Sequence, residues 1–411
     1  MTTASTSAAP AATQTLSVTD ARVECAECGY KSHALVSHLM EAHGLTVADY
    51  LSAHAGAATV SDEALKMLKT AAVRRGAPAP TGLTANLMGI QIPVDGAVPE
   101  SECLPLPSNY QFPTQGAARG VFSRAIMAMA RGRNAFIWGM PGTGKDAIVH
   151  AYSAYTRKPV VMVTFRPGTD LSPWFYTRAI DKEGTSWEFG HLWNALVNGV
   201  EGRDGVARAA LVLLSDVDRA DEAQAEWFRI LTDSISGRIL GPDGGMVPLF
   251  PGTQFICTAN SCGTGDARGR MGSANPIDAS IMDRLGRKME AKYMDWVDEG
   301  KILRAKYPGV AAADPSIFSD SSEKKLGQLG HATASLRKAI DNEDLYAEFT
   351  HRSLCAILDE CEDVLHYSAT TPDNLLKHGM RAWLEGLDSE SRLTANRLID
   401  PHLKGGALGD D

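Results

Sequence analysis

Four short apolar runs, separated by longer amphipathic stretches, dominate the middle of this 411-residue chain. They read NAFIWG, PVVMVTF, ALVLLS and TQFICTA, and they are rich in β-branched and other apolar residues. Short apolar runs that alternate with helical segments are typical of buried parallel strands covered by helices. We therefore predict an α/β fold over residues 105–290, with a parallel sheet sandwiched between helices.

The segments on either side of this core have different patterns. Residues 1–20 are rich in Ala, Thr and Ser and predict a disordered tail, whereas residues 21–57 form a compact Cys/His unit. Residues 58–104 begin with a short helical segment, DEALKMLKTAAVRR, and then become rich in Pro and Gly, which predicts a linker. Residues 291–400 contain helical segments only and predict a helical lid domain, followed by a tail over 401–411.

Composition and charge exclude several classes of protein. The chain has 44% hydrophobic and 22% charged residues, as is usual for soluble globular proteins, and no long uninterrupted apolar run. We expect no membrane span and no secretory signal, because the first residues lack a basic and an apolar region. The net charge of -9 argues against a broad nucleic-acid surface. Seven cysteines, an odd number, indicate a reducing, cytoplasmic location rather than a disulfide framework.

A glycine-rich loop lies between the strand NAFIW and a helical run, in the strand–loop–helix context that phosphate-binding loops require. Its backbone N–H groups and the helix start would cradle the phosphates of ATP, and its lysine would reach the β- and γ-phosphates. The loop consists of Gly139, Met140, Pro141, Gly142, Thr143, Gly144, Lys145 and Asp146. Its last position is unusual, because a Ser or Thr that holds Mg²⁺ normally follows the lysine.

A second acidic motif follows the strand ALVLLS, where P-loop ATPases carry an Asp that holds Mg²⁺ and then a Glu that polarises water. Two registers are possible: Ser215 and Asp216 occupy these two positions, or Asp216 is the metal-side residue and Asp218 follows it. We prefer the first, because SDVDRA then aligns without a gap. Ser215 and Asp146 would have exchanged hydroxyl and carboxylate, so that Mg²⁺ still meets one of each. The alternative is a degenerate site that binds nucleotide and hydrolyses it slowly. We interpret Asp218 as a cap of the next helix.

The order and spacing of these motifs resemble the MoxR-like branch of AAA+ ATPases, closest to the CobS subunit of aerobic cobaltochelatase. The resemblance extends from about residue 98 to about residue 360. It includes VPESECLPLPSNYQF, PVVMVTFRPGTDLSPW and WEFGHLW. It also includes GDARGRMGSANPIDASIMDRLGRK, and the segment ISGRILGPDGGMVPLFPGTQFICTAN is similar to the family's hairpin insertion leading into its sensor strand.

This resemblance implies roles for three further residues. Asn260 matches the sensor 1 position, where a polar side chain orients the attacking water. Arg284 matches the arginine finger, which a neighbouring subunit supplies to stabilise charge on the transferring phosphoryl group. Arg352 matches the sensor 2 arginine of the lid. A finger that acts in trans implies a homo-oligomer, for which the family's usual state is a hexameric ring, and the family also suggests a partner protein with a von Willebrand A-type domain.

The Cys/His unit places Cys25, Cys28, His38 and His43 at the spacing of a structural zinc site, with four protein ligands and no open position. The segment CAECGYKSHALVSHLMEAHGLTVADYL resembles the zinc finger of the Ros/MucR bacterial regulators. Residues 21–57 contain two basic and four acidic residues, which gives a net charge of 2 − 4 = −2. We therefore favour protein docking over DNA binding for this unit, because a finger that tracks phosphates needs basic residues.

Together these features predict an ATP-hydrolysing AAA+ motor of the MoxR/CobS type that remodels a partner protein or complex, with ATP, Mg²⁺ and Zn²⁺ as cofactors. One alternative is the motor subunit of a cobalt or magnesium chelatase. Another, from a different class, is a zinc-finger DNA-binding regulator whose ATPase domain acts as a nucleotide switch.

Overall fold

The structure, a computed structural model, divides into two compact units, Met1–Arg75 and Gly76–Asp411. It describes residues 23–32, 35–43, 45, 47–54, 57–59, 83–106, 110–181, 184–233, 237–265, 274–318, 326–367 and 374–404. The predicted tail over residues 1–20, the predicted helix DEALKMLKTAAVRR and residues 405–411 lie outside these ranges. No helix within them is long and apolar enough to cross a membrane.

The first unit is a short hairpin followed by two helices. Strands β1 (Val23–Glu24) and β2 (Lys31–Ser32) pair antiparallel, and helices α1 (Val36–His43) and α2 (Val47–Ala53) follow. Its buried core consists of Cys25, Leu35, Leu39 and Tyr50. Among the described residues of this unit these four are the buried ones, and so small a core supplies little hydrophobic stabilisation, which is why units of this size depend on a metal or another cross-link.

The second unit is built on a five-stranded parallel sheet with the strand order β15-β5-β14-β11-β6. Its strands are β5 (Ala135–Trp138), β6 (Val160–Thr164), β11 (Leu211–Ser215), β14 (Gln254–Ala259) and β15 (Arg287–Glu290). Successive side chains alternate between two separate cores, so that Phe136 lies on one face of the sheet and Ile137 on the other. The four apolar runs are therefore strands, as predicted, and the fifth strand lies at the edge.

Four antiparallel hairpins are attached to this sheet. They are β3 (Thr84–Leu87) with β4 (Ile90–Pro93), β7 (Tyr176–Asp181) with β8 (Gly184–Phe189), β9 (Val200–Glu201) with β10 (Ala207–Arg208), and β12 (Arg238–Leu240) with β13 (Met246–Pro248). The last of them leads into β14, as the segment from ISGRIL to TQFICTAN predicts. The first lies inside the segment predicted as a linker. Its Leu87 and Ile92 pack into the core, so the structure differs from that prediction over residues 84–93.

Helices cover both faces of the sheet and then form a separate layer. The helices within the sheet region are α3 (Gly116–Ala130), α4 (Lys145–Thr156), α5 (Ser172–Phe175), α6 (His191–Val197), α7 (Glu222–Asp233) and α8 (Ala279–Arg284). The later ones are α9 (Trp296–Lys306), α10 (Pro308–Ala313), α11 (Gln328–Asp341), α12 (His351–Tyr367), α13 (Leu375–Glu385) and α14 (Ser389–Ile399). These later helices enclose their own apolar core, which agrees with the prediction of helical segments alone.

Two buried carboxylates at the start of α9 tie this helical layer to the sheet region and to itself. Asp298 accepts hydrogen bonds from the backbone N–H and the hydroxyl of Thr114, at 2.7 and 2.6 Å. Glu299 forms a two-contact ion pair with Arg337 of α11, at 2.6 and 3.1 Å. Both carboxylates are nearly inaccessible to solvent, so removal of a partner would leave a buried charge uncompensated.

The closest helix contact of the lid depends on a glycine. Gly379 of α13 faces α12, where a Cβ would lie 2.3 Å from the carbonyl oxygen of Ile357. We expect Gly379→Ala to destabilise the full chain by about 1–3 kcal/mol, since the helices must separate. Gly120→Ala on α3, where a Cβ meets nothing within 4 Å, is the matched control and should be neutral or stabilising by up to about 1 kcal/mol. Urea unfolding of both variants measures the difference, and equal midpoints would contradict the prediction.

Candidate functional site

The glycine-rich loop connects β5 to α4 at the carboxyl end of the sheet. Gly142 and Gly144 have φ angles of 77° and 82°, which L side chains rarely adopt. A Cβ on Gly142 would also lie 2.9 Å from the Cβ of Thr350, so the start of α12 packs directly on the loop. The Thr143 hydroxyl closes the loop by donating to the Met140 carbonyl at 2.8 Å. Positive φ angles at these glycines are typical of phosphate-binding loops, whose backbone N–H groups turn toward an anion.

Lys145, the first residue of α4, is buried inside this loop. Its ammonium group donates to the carbonyl oxygens of Gly139 and Met140, at 2.7 and 3.2 Å, and to the side-chain oxygen of Asn260, at 3.0 Å. Burial lowers the pKa of Lys145, and the carboxylates of Asp146 and its neighbours partly offset this effect. The lysine is therefore held inside the loop by three neutral oxygen acceptors, and these are contacts that phosphate oxygens could replace.

Asp146, beside the lysine, accepts two hydrogen bonds from buried hydroxyls. Ser215, at the end of β11, donates to one carboxylate oxygen at 2.7 Å, and Thr258 of β14 donates to the other at 2.6 Å. The structure thus brings together the two residues between which the sequence predicts an exchange of hydroxyl and carboxylate. Thr258 was not predicted from sequence; its signal there is a hydroxyl residue among the apolar residues of β14.

Asp216 follows Ser215 and turns back toward the loop. Its backbone has φ 54° and ψ 43°, a left-handed conformation that is uncommon outside Gly, that Asp and Asn tolerate best, and that is concentrated at functional sites. Burial raises the pKa of Asp216, although Arg219 partly opposes the shift. The Asn260 amide donates to the Asp216 carboxylate at 3.4 Å. The two residues to which the sequence assigns water activation and water orientation are therefore neighbours.

Asp218 supports this site from below and does not cap the next helix. One of its carboxylate oxygens accepts from the backbone N–H groups of Asn260 and Ser261, at 2.9 and 2.8 Å. The start of α7 is instead capped by Asp221, which accepts from the N–H of Gln224 at 2.9 Å. The prediction of Asp218 as a cap is wrong, because its buried side chain points back to the end of β14 and fixes where Asn260 lies.

The two predicted arginines occupy different places. Arg352 is exposed in the first turn of α12, and its charge acts on Lys145, so it lies beside the loop. Its helix starts with a reciprocal cap, in which Thr350 and Ser353 accept from each other's backbone N–H groups. Arg284 ends α8 and pairs with the half-exposed Asp233 of α7. A residue that acts on a neighbouring subunit must be exposed in this way, and a surface ion pair of this kind is weak enough to exchange.

A cavity of about 180 Å³ opens between the loop, α3 and the start of the lid. Its lining combines apolar side chains with a few polar groups, as is usual for a small-molecule site. These residues are Tyr110, Gln111, Phe122, Gly142, Thr143, Gly144, Ala147, Met294, Glu299, Ile302 and His351.

The charged wall of this cavity was not predicted from sequence. His351 Nδ1 lies 3.1 Å from the Glu299 carboxylate. Burial alone would lower the pKa of His351, but hydrogen bonds to Cys355 and Glu299 outweigh it and raise that pKa to about 9. His351 is therefore a cation at neutral pH and offers N–H donors only. Since Glu299 and His351 lie 52 positions apart, no local pattern pairs them.

The Cys/His unit brings all four predicted ligand atoms within 4.8 Å of one another. Cys28 Sγ lies 3.2 Å from His38 Nε2, Cys25 Sγ lies 3.7 Å from His43 Nε2, and the two imidazole nitrogens are 3.2 Å apart. A tetrahedral zinc site requires about 3.3 Å between two nitrogens and about 3.6 Å between nitrogen and sulfur. The four residues, provided by the β1–β2 turn and one face of α1, therefore form a possible metal site.

Comparison with known proteins agrees with this architecture. Residues 134–285 match the family described as AAA domain (dynein-related subfamily). Among solved structures, a point mutant of RuvB from Thermotoga maritima is 14% identical, covers 69% of this chain and 74% of its own, and has a TM-score of 0.41. The Holliday junction branch migration motor RuvB from Thermotoga maritima is 13% identical, with coverages of 70% and 76% and a TM-score of 0.40. No curated protein matches the chain.

The matched segment begins just before β5 and ends just after α8, so it contains the glycine loop, the acidic motif and the sensor strand. These parts lie in the order and geometry described above, on a five-stranded parallel sheet with helices on both faces. Residues 134–285 are therefore similar to AAA domains, and the chain has the AAA+ P-loop fold.

Proposed function

We propose that this protein is an ATP-hydrolysing motor of the MoxR/CobS type. The observation that supports this most directly is the convergence of Lys145, Asp216 and Asn260 at the carboxyl end of the sheet. The glycine loop would hold the phosphates, and the adjoining cavity would hold the nucleoside between α3 and the lid. AAA+ domains in general couple such a site to nucleotide hydrolysis.

Each residue then has a task that its position supports. Lys145 would bind the terminal phosphates in place of its present carbonyl partners. Asp216, whose pKa burial raises, would take a proton from the attacking water, and Asn260, which touches it, would orient that water. Arg352 would bind the phosphates from the lid, and Arg284 would reach the site of a neighbouring subunit.

Oxygen donors at the loop fit Mg²⁺. Asp146 supplies a carboxylate and Ser215 a hydroxyl, both of which are hard ligands that this cation prefers. When bound, Mg²⁺ neutralises charge on the phosphate oxygens. The contact between Asp146 and Ser215 supports the exchange hypothesis. A carboxylate and a hydroxyl lie side by side, but the glycine loop supplies the carboxylate and the end of β11 supplies the hydroxyl, the reverse of the usual arrangement.

The Cys/His unit also fits its proposed metal, zinc. Two thiols and two imidazoles are the ligands that zinc prefers, and four protein ligands indicate a structural role. With three large side chains beside Cys25 in its described core, the unit would depend on the metal for its fold. Protein docking remains our preferred role for it, since its acidic composition disfavours DNA.

Exposed apolar side chains on the β7–β8 hairpin support a protein as the object of the motor. Ile180 is 85% exposed, and Phe189 is 45% exposed. Apolar residues on an exposed hairpin are typical of a surface that contacts another protein. A partner with a von Willebrand A-type domain, a hexameric ring, and the chelatase and DNA-regulator alternatives all remain predictions from sequence.

ATP hydrolysis is the first test of this proposal. We expect Mg²⁺-dependent turnover that rises cooperatively with protein concentration and falls by at least about 100-fold in Lys145→Ala and in Arg284→Ala. A mixture of these two variants should regain activity, because one supplies an intact finger and the other an intact site. Arg131→Ala is the control, because Arg131 is exposed and precedes the amino end of β5, whereas the glycine loop follows its carboxyl end. An unaffected Arg284→Ala variant would contradict the role in trans.

The exchange of hydroxyl and carboxylate has its own test. The double variant Asp146→Ser with Ser215→Asp should hydrolyse ATP within about tenfold of the wild-type rate, because it restores one carboxylate and one hydroxyl. Asp146→Ser alone leaves no carboxylate for the metal, and Ser215→Asp alone places two like charges in contact, so each single variant should lose more activity. An inactive double variant with active single variants would refute the exchange.

Metal content tests the Cys/His unit. We expect about one zinc ion per purified chain by atomic emission, and its loss in Cys28→Ser. Cys262→Ser, which changes an exposed cysteine of the other unit, should keep the zinc. A chelator should also unfold the first unit, which makes its backbone accessible to protease. Zinc retained in Cys28→Ser would exclude this ligand set.

A further inference from the structure

The hydrogen bonds to Asp146 come from two side chains that have almost no contact with solvent. Ser215 is 2% exposed and Thr258 is fully buried. Both donate to the same carboxylate, one to each oxygen. A carboxylate oxygen accepts more than one hydrogen bond or cation contact, so each oxygen retains capacity on its outer side. The carboxylate is thus held in one orientation from behind, while it remains only half-buried in front.

This carboxylate lies where nucleotide phosphates would bind. It immediately follows Lys145, and the charges of Asp146, Asp216 and Asp218 all act on the lysine. The Asp146 carboxylate belongs to the loop itself, whereas Asp216 pairs with Arg219 and Asp218 is held by two backbone N–H groups. Two like charges about 6 Å apart at an effective dielectric constant of about 20 weaken binding by about 100-fold. A Ser or Thr at position 146 would add no such repulsion.

We propose that Asp146 makes nucleotide binding by this protein obligately dependent on a divalent cation, with Thr258 as the residue that positions the carboxylate. The inference rests on the proposed nucleotide site. It adds to that site a condition on binding itself: the triphosphate enters together with its cation, because Asp146 repels the metal-free form and attracts the complexed one.

A purely structural role for the same contacts is the competing explanation. Asp146 would then only hold α4 against the ends of β11 and β14, and its charge would have no effect on ligands. The variant Asp146→Asn separates these explanations. It keeps the shape of the side chain and an oxygen acceptor for a hydroxyl, but it removes the negative charge.

The experiment measures ATP affinity by titration calorimetry on the full chain, once with excess Mg²⁺ and once with EDTA. For the wild type we expect at least about 100-fold weaker binding in EDTA, which is about 2.8 kcal/mol. In Asp146→Asn and Asp146→Ser this ratio should fall below about tenfold, because binding in EDTA becomes stronger. Thermal unfolding of each variant shows that the comparison is between folded proteins.

The role of Thr258 is measured by the Mg²⁺ concentration that half-saturates ATP binding. In Thr258→Val we expect this concentration to rise several-fold, since the carboxylate loses one of its two donors. Thr232→Val is the control, because the Thr232 hydroxyl is also buried but donates to a backbone carbonyl of α7. An equal effect of both valines would overturn the positioning role.

Two outcomes would overturn the cation requirement. One is wild-type affinity in EDTA within about threefold of that in Mg²⁺, and the other is an Asp146→Asn variant whose affinity in EDTA is unchanged. Either result would leave the proposed ATP site intact. Absence of ATP binding in both buffers would instead refute the proposed function, and this inference with it.

Discussion

Parallel pairing of β5, β14 and β11 is the constraint on which the site depends. Trp138 pairs with Ala259, and Leu214 pairs with Cys257, so the three strands end at the same edge of the sheet. The glycine loop follows β5, and Asn260 follows β14. Ser215 is the last residue of β11, and Asp216 comes directly after it. No side chain of the site has to reach far, because strand register has already brought the backbone segments together. This is the general reason why open parallel sheets bind ligands at their carboxyl ends.

The strands and the glycine loop could be predicted because their signals are local. A wholly apolar run of five or six residues has few options other than a buried strand, and the loop motif needs only its neighbours for recognition. The edge strand β15 has one fully buried residue, Met289, and therefore lacks that signal. The β3–β4 hairpin gives no strand signal in the sequence, because its two buried residues, Leu87 and Ile92, lie in a segment rich in Pro and Gly. Partners brought together by folding, such as Thr258 with Asp146, leave no mark in sequence.

The lid contacts the glycine loop through residues other than Arg352 as well. The Tyr293 hydroxyl donates to the carbonyl of Pro141 at 3.0 Å, and the Arg337 guanidinium stacks on the Tyr293 ring at 3.9 Å. Arg337 also neutralises Glu299, the partner of His351. A ligand that displaces the loop carbonyls or contacts His351 would therefore act on contacts that hold α9, α11 and α12 together. If the proposed site binds ATP, this connection would link the bound nucleotide to the position of these helices.

The carboxylate at position 146 is not simply an obstacle that the site must tolerate. It lies in the first turn of α4, where a negative charge is stabilised by the partial positive charge of the helix start. A serine would remove the carboxylate from that helix end and leave Asp216 and Asp218 as the anions that act on Lys145 until phosphate arrives. Asp146 therefore stabilises the start of α4 and the charge of Lys145, and it accepts hydrogen bonds from two buried hydroxyls. An incoming phosphate must compete with Asp146 for the helix end and for Lys145. A cation that binds both the phosphate and Asp146 removes this competition. The chemistry that makes the nucleotide-free loop stable thus also sets the condition under which it accepts a ligand.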